Sequence, residues 1–325
     1  MNISTSALVE FVSRIGRLLV FVLLFAFFIR ELGESDFGAF VLFEALVLGA
    51  GMLVDIGIGS AVQKRIQELD LNQILSTAAG TKLLMLAIVS IGVILFRTDL
   101  NAFMQQDLAL YLPAAIALQQ FGRLGLHAMR GLDKLVPASL LQLGGDATQL
   151  FSAVALHLAL DFRVKSLIFG FTLGWLVILV LTATMLRFRV IRPRIDVLRS
   201  LFGFSPYAFV GSVLGGMVYN WTDTIVIGYF LGPGPVTLYE TAWRISGVIV
   251  IGAQAVSTVV FPKVSLWFEK GREERITTVL PVVISVALAL VFPGIVGGFV
   301  IGRQTLNLVF SIDSIAAFWV LLLLL

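Results

Sequence analysis

The sequence predicts an all-α polytopic membrane protein, with about ten transmembrane helices in two parallel-related bundles, the second incomplete. Three observations lead there. Of 325 residues, 58% are hydrophobic and only 13% are charged, about half the roughly 25% usual in soluble domains. Mean hydropathy is +1.00, more apolar surface than a water-wetted exterior can hide. The apolar runs are continuous and about 20 residues long, the length of a spanning helix. They do not alternate as barrel strands do. A weak internal repeat then divides the runs into two sets.

The runs cover residues 8–29, 37–61, 77–96, 108–128, 136–159, 166–186, 202–229, 237–261, 277–301 and 306–325, separated by short loops with Gly, Pro, Asp or Arg. The first has Arg14 and Arg17 in or just before its most apolar part. It is followed by Arg30, Glu31 and Leu32 rather than a small-residue cleavage site, so it reads as a permanent span. With the N-terminus inside, the inner segments hold Arg14, Arg17, Lys64, Arg65, Arg130, Lys134, Arg187, Arg189, Arg192, Arg194, Arg199, Lys263, Lys270, Arg272 and Arg275. The outer loops hold Arg30, Arg97, Arg163, Lys165 and Arg303. That bias of roughly three to one predicts a cytoplasmic N-terminus in the cell membrane.

Residues 187–200 are the longest basic, Pro-containing stretch and read as a cytoplasmic linker. It separates an N-terminal six-helix lobe, 1–186, from a C-terminal lobe, 201–325. Shifting residues 32–69 by 199 positions places Leu32-Gly33 on Leu231-Gly232, Phe40 on Tyr239 and Lys64 on Lys263. The copies share one membrane orientation, which implies parallel halves. Six runs against four, with an apolar run up to Leu325, predict a C-terminally truncated form or fragment.

Ionisable residues at membrane depth are costly and mark function by default. Gln119, Arg123, His127 and Arg130 recur at helical spacing on the fourth run, and Ser139, Gln142, Asp146 and Gln149 on the fifth. A short turn joins these helices, so the stripes can face one another and line a polar cavity, or bond the helices together. Glu44 and Asp55 share a face of the second run with Gly51 and Gly59. Glu240 and Arg244 share one on the eighth with Gly247, Gln254 and Thr258. An i,i+4 pair such as Glu240–Arg244 also simply neutralises itself. Glu10, Arg14 and Arg17 form another set, open to a cavity role or to anchoring at the inner interface. Asp223 could cap a helix break, bind a cation or pair with a base. Lys82, a turn inside its run, is expected to snorkel to the cytoplasmic interface.

The chain has no Cys and two His, which removes disulfides, thiolate metal sites and a multi-His centre. It has no P-loop, HExxH, nucleophile elbow or complete GxGxxG, so no cofactor, metal or catalytic residue is expected. The basic loops suit anionic lipid headgroups rather than nucleic acid. Gly170 and Gly174, Gly211 and Gly215, and Gly294 and Gly298 have the spacing of close helix contacts.

Residues 34–40 with 55–65, and 223–231 with 238–244 and 261–263, resemble the polysaccharide flippases, the O-antigen and lipid-linked oligosaccharide translocases of the multidrug/oligosaccharidyl-lipid/polysaccharide exporter superfamily. That family has twelve to fourteen spans in two six-helix lobes and is not an enzyme family. The resemblance implies translocation of a polyprenyl-pyrophosphate sugar by alternating access. Arg14, Arg17, Arg123, Arg130 and Arg244 would hold the phosphates. Glu44, Asp55, Asp146, Asp223 and Glu240 would couple ions or pair with the arginines, and Gln119, His127, Gln142 and Gln149 would line the cavity. The lobes would rock about residues 187–200. Membrane lipids, a glycan polymerase and glycosyltransferases are the further partners implied. Three alternatives stay open: an ion-coupled multidrug antiporter of the same superfamily, a purely structural assembly subunit, and a membrane-embedded glycosyltransferase or polymerase. The short outer loops count against the last.

Overall fold

The computed structural model describes residues 3–247, 264, 267–268 and 273–325, and among them the protein is helical without strands. Gln254, Thr258 and Lys263 lie outside the described residues. The helices are α1 (Ile3–Leu32), α2 (Glu34–Asp55), α3 (Ile58–Arg65), α4 (Leu71–Leu95), α5 (Arg97–Met104), α6 (Leu112–Gly131), α7 (Leu135–Leu160) and α8 (Val164–Leu186). They continue with α9 (Ile195–Phe202), α10 (Ser205–Ser212), α11 (Tyr219–Leu231), α12 (233–247), α13 (Glu273–Phe310) and α14 (Ile315–Leu324). The stretches Val9–Leu32, Glu34–Asp55, Leu71–Leu95 and Val164–Leu186 are long and apolar enough to cross a bilayer. Helices α6 and α7 have 20 and 26 residues but carry the polar stripes.

Local chemistry sets the ends of these helices. Gly33, at φ 81°, leads into α2, whose first turn holds Glu34 and Asp36, favourable at the positive end of the helix dipole. Asp70 caps α4 by accepting from the Gln73 amide at 2.9 Å. Pro113 sits in the first turn of α6, where its missing N–H costs nothing. Ser314 caps α14.

Three boundaries differ from the sequence expectation. The run at 37–61 is two helices: Ile56 and Gly57 both take left-handed backbone, φ 45° and 76°, and end α2. A Cβ on Gly57 would lie 2.8 Å from the Phe209 amide, so α10 packs directly on the break. The run at 202–229 is α10, a π-helical stretch Val213–Val218, and α11. The loop expected between 301 and 306 is absent: α13 runs through it and ends at Phe310. Polar residues such as Arg303 and Gln304 do not by themselves stop a helix.

The chain separates into two compact units. One comprises residues 1–24 and 31–236, the other 25–30 and 237–325. In the first, α7 and α8 form the tightest pair, and α6 packs next on α8. Glycines permit this: a Cβ on Gly170 would stand 2.6 Å from the Gln149 carbonyl, and one on Gly174 2.6 Å from that of Gly145. By contrast, a Cβ built on Gly211 or Gly215 would meet no atom of another described element within 4 Å. The apolar core joins α3, α4, α6, α8 and α9 through Ile58, Val62, Ile74, Leu126, Met129, Ile178 and Leu201.

In the second unit Glu240 and Arg244 pair at 3.2 Å on α12, with the guanidinium 4.8 Å from the centre of the Phe25 ring. Arg303 pairs with Asp313 at 3.2 Å beside the α13–α14 turn.

Candidate functional site

The polar groups of the first unit form two clusters. In one, α1, α6 and α7 surround a cavity of about 560 Å³ lined by Glu10, Ser13, Arg14, Arg17, Arg130, Leu135, Ser139 and Gln142. Helical spacing puts Glu10, Ser13, Arg14 and Arg17 on one face of α1. The last turn of α6 supplies Arg130 and the first turns of α7 supply Ser139 and Gln142. Arg17 Nε donates to Asp146 Oδ2 at 2.6 Å, Arg130 Nη2 to Gln142 Oε1 at 2.7 Å and Arg14 Nη2 to Glu10 Oε1 at 3.1 Å.

These bonds use only part of each guanidinium, which carries five donors. Three guanidiniums and one carboxylate line the cavity, and counting the Asp146 partner of Arg17 still leaves the wall positive. Ser13 is buried, and its hydroxyl oxygen has no hydrogen-bond partner among the described residues. The walls therefore offer spare guanidinium donors to a guest, with the unpaired Ser13 hydroxyl buried behind them, a composition suited to a phosphate.

The second cluster lies where α2, α3, α4 and α6 meet. Lys82 of α4 has no exposed side-chain area and does not reach an interface, contrary to the snorkelling expectation. Its ammonium lies 2.5 Å from Asp55 Oδ1 and donates to Gln120 Oε1 at 3.0 Å and to the Gln120 carbonyl at 3.4 Å. All three donors of an ammonium are thereby used. The Gly59 amide donates to the same Asp55 oxygen at 3.1 Å, so one carboxylate holds Lys82 and starts α3 after the break. Gln120 Nε2 in turn donates to Gln119 Oε1 at 3.3 Å.

Between the clusters, Arg123 lies half-buried with its guanidinium carbon 5.8 Å from the centre of the Trp175 ring. The charges of Asp55, Arg130 and Arg17 all act on it. His127 Nδ1 lies 3.0 Å from Gln63 Oε1.

The structure thus gathers Arg14, Arg17, Arg130, Gln142 and Asp146 in one place and Asp55, Gln119 and Lys82 in another, with Arg123 and His127 between. Only near the turn joining them do the α6 and α7 stripes meet. Higher up, Gln119 faces α2 at Gly51, and Gln149 lies against α8 at Gly174. Glu44 is buried on α2. Asp223 stands apart on α11, where its carboxylate accepts from the Thr224 amide at 3.1 Å. Sequence reasoning missed Ser13, Gln63, Gln120 and Trp175. Ser13 shares the helical face of Glu10 and Arg17 and was within reach of the spacing rule. Gln120 lies off the stripe of its own helix.

A family of polysaccharide biosynthesis proteins matches residues 28–313. The probable low-salt glycan biosynthesis flippase Agl15 of Haloferax volcanii is 30% identical over 325 residues, all of this chain and 68% of that protein. The probable flippase AglR of the same organism is 27% identical over 312 residues, 94% of this chain and 64% of that one. The chain thus spans about two thirds of the length of these relatives. Among solved structures, a multidrug resistance MATE family transporter of the MOP superfamily superposes with a TM-score of 0.65 in its inward-facing conformation. The identity is 16%, over 99% of this chain and 76% of that one. An outward-facing conformation gives 0.59 at 16% identity, over 97% and 76%. The relatives are named as flippases rather than catalysts, and the apolar helices and transporter fold are those of a multi-pass membrane protein. On this match the chain belongs to the polysaccharide biosynthesis protein family, built on the helical fold of the MOP-superfamily transporters.

Proposed function

We propose that this chain is the substrate-handling part of a flippase that carries a lipid-linked oligosaccharide across the cell membrane by alternating access. A sugar joined to a polyprenol through pyrophosphate has a polar, anionic head that cannot pass through hydrocarbon unaided. The observation that carries the reading is the positive cavity between α1, α6 and α7, with Ser13 buried and unpaired in its wall. Arg17 and Arg130 would grip the phosphate oxygens through the guanidinium donors left over from Asp146 and Gln142. Arg14, more exposed and tied to Glu10, would meet the head on entry. Arg123 would receive it deeper. The polyprenyl tail would stay in lipid, in contact with the apolar outer faces of the helices.

The Lys and Arg bias favours a cytoplasmic opening for this cavity, with the N-terminus on the same side. A glycan polymerase and glycosyltransferases would then act before and after translocation. A positive wall opposes the organic cations that a multidrug antiporter would take.

The test is export of surface glycan in cells that lack their own flippase and carry this protein. Arg130→Gln and Arg17→Gln should each abolish or strongly reduce export at unchanged protein level in the membrane. Undiminished export in both would remove the cavity from the substrate path.

A further inference from the structure

We propose that residues 187–195 form a fixed docking strap for anionic phospholipid headgroups, a surface separate from the substrate cavity and independent of the flippase reading. The segment leaves α8 at Arg187, which has left-handed backbone at φ 49°, and runs without helix to Ile195. It is fastened along the first two turns of α4. The Arg189 amide donates to Asn72 Oδ1 at 2.6 Å, the Ile191 amide to Ser76 Oγ at 2.9 Å and the Arg194 amide to Thr77 Oγ1 at 3.2 Å. Gln73 Nε2 donates to the Arg192 carbonyl at 3.0 Å. Asn72, Gln73, Ser76 and Thr77 share one polar face at the start of α4, and the strap occupies it. A Cβ on Gly80 would lie 3.2 Å from the Pro193 ring, so the strap sits tight against α4 one turn further on.

This fastening ties part of the backbone to α4 and leaves the arginine side chains facing out, while Phe188 packs inward on the apolar core. Arg187, Arg189 and Arg192 are exposed and make no ion pair or side-chain hydrogen bond among the described residues. Arg194, by contrast, is paired with Asp196 at 2.7 Å, and its hydrogen bonds hold that carboxyl below the usual carboxylate range. Val190, between Arg189 and Arg192, is 82% exposed, and Ile195, just past the paired Arg194, is 65% exposed. Alternating unpaired cations and bare apolar side chains on a rigid backbone suit the boundary between headgroups and acyl chains. There the apolar groups enter lipid and the guanidiniums bind phosphate. Because the α8 end and the α4 start come together here, the strap lies at the membrane face rather than at mid-depth. Charge complementarity selects an anionic glycerophospholipid over a zwitterionic one. Ordering has been settled by the α4 bonds before any lipid arrives, which lowers the entropic cost of binding.

The chain has no Cys, so Val190→Cys gives a single labelling site. The labelled full chain is placed in nanodiscs of phosphatidylcholine alone or mixed with phosphatidylglycerol. An environment-sensitive dye at 190 reports insertion, and native mass spectrometry counts retained phosphatidylglycerol. Anionic discs should give a blue-shifted emission that high salt reverses. Arg187→Gln, Arg189→Gln and Arg192→Gln together should lower apparent phosphatidylglycerol affinity by about a hundredfold, each interfacial arginine contributing roughly fivefold. The melting temperature of this exposed-residue variant should match the parent, which separates lost binding from lost folding. Equal emission in neutral and anionic discs, or retention unchanged by the triple substitution, would overturn the proposal. So would inorganic phosphate at matched ionic strength reproducing the shift in neutral discs, because the surface would then take free phosphate rather than headgroups.

Discussion

Lys82 and Arg17 are both cations on long apolar helices, and each meets an aspartate, at 2.5 and 2.6 Å. Around Lys82 every donor is spent, the side chain has no exposed area and the partner carboxylate also starts α3. Around Arg17 the pair is 40% and 33% exposed, the guanidinium keeps free donors and a cavity opens beside it. Similar charges therefore spend every donor on packing in the first place and keep spare donors beside a cavity in the second. The distinction lies in unused hydrogen-bonding capacity facing open space, not in residue type or membrane depth.

Four substitutions sharpen or break that contrast. Lys82→Ala should have the largest effect on stability, about 3–5 kcal/mol, because it strands Asp55 inside the bundle without its counter-charge. Thermal melting in detergent should show it, and Lys82→Met combined with Asp55→Asn should recover much of the loss. A near-normal melt for Lys82→Ala would mean that the knot is not structural. Gly170→Leu comes next, at about 1–3 kcal/mol, since the added side chain must part α7 from α8 where even a Cβ would lie 2.6 Å from the Gln149 carbonyl. Gly211→Leu, at a glycine with open space around it, is its control and should melt with the parent.

Arg17→Gln should cost about 1 kcal/mol or less in stability, because a pair this exposed is screened by solvent. It should nonetheless reduce export about tenfold or more through the loss of charge-assisted hydrogen bonds. A variant that unfolds instead would move Arg17 into the structural class with Lys82. Arg14→Ala should be the mildest in stability, roughly 0–0.5 kcal/mol, as its i,i+4 pair with Glu10 is on the surface. Its export phenotype in the same cells should be weaker than that of Arg17→Gln.

Much of the fold was legible because lipid imposes one requirement, long apolar helices, and the runs display it. What escaped was backbone geometry. Residues 55–59 read as uninterrupted span, but the Gly57 position and the Asp55 cap bend the chain there. At 302–305 a patch of one glycine and three polar residues looked like a loop, although it does not suffice to end α13. The site was half legible for a similar reason. Helical spacing located Gln119, Arg123, His127 and Arg130 on one face, but it cannot say which helix that face meets. Sequence adjacency suggested α7, whereas α2 and α3 take much of it. Lys82 was misjudged because its own helix offers no polar neighbour at that depth. Both of its partners, Asp55 and Gln120, come from elsewhere in the chain.

The four hydrogen bonds along α4 bear on how anything downstream could swing. A tether stapled at that many points has no slack to give. The first glycine past it is Gly203, which closes α9 with its amide donating to the Arg199 carbonyl at 3.0 Å. In the proposed alternating access, a change of chain length beyond α9 should alter the motion, while the same edit inside 189–194 would first have to peel the staples away.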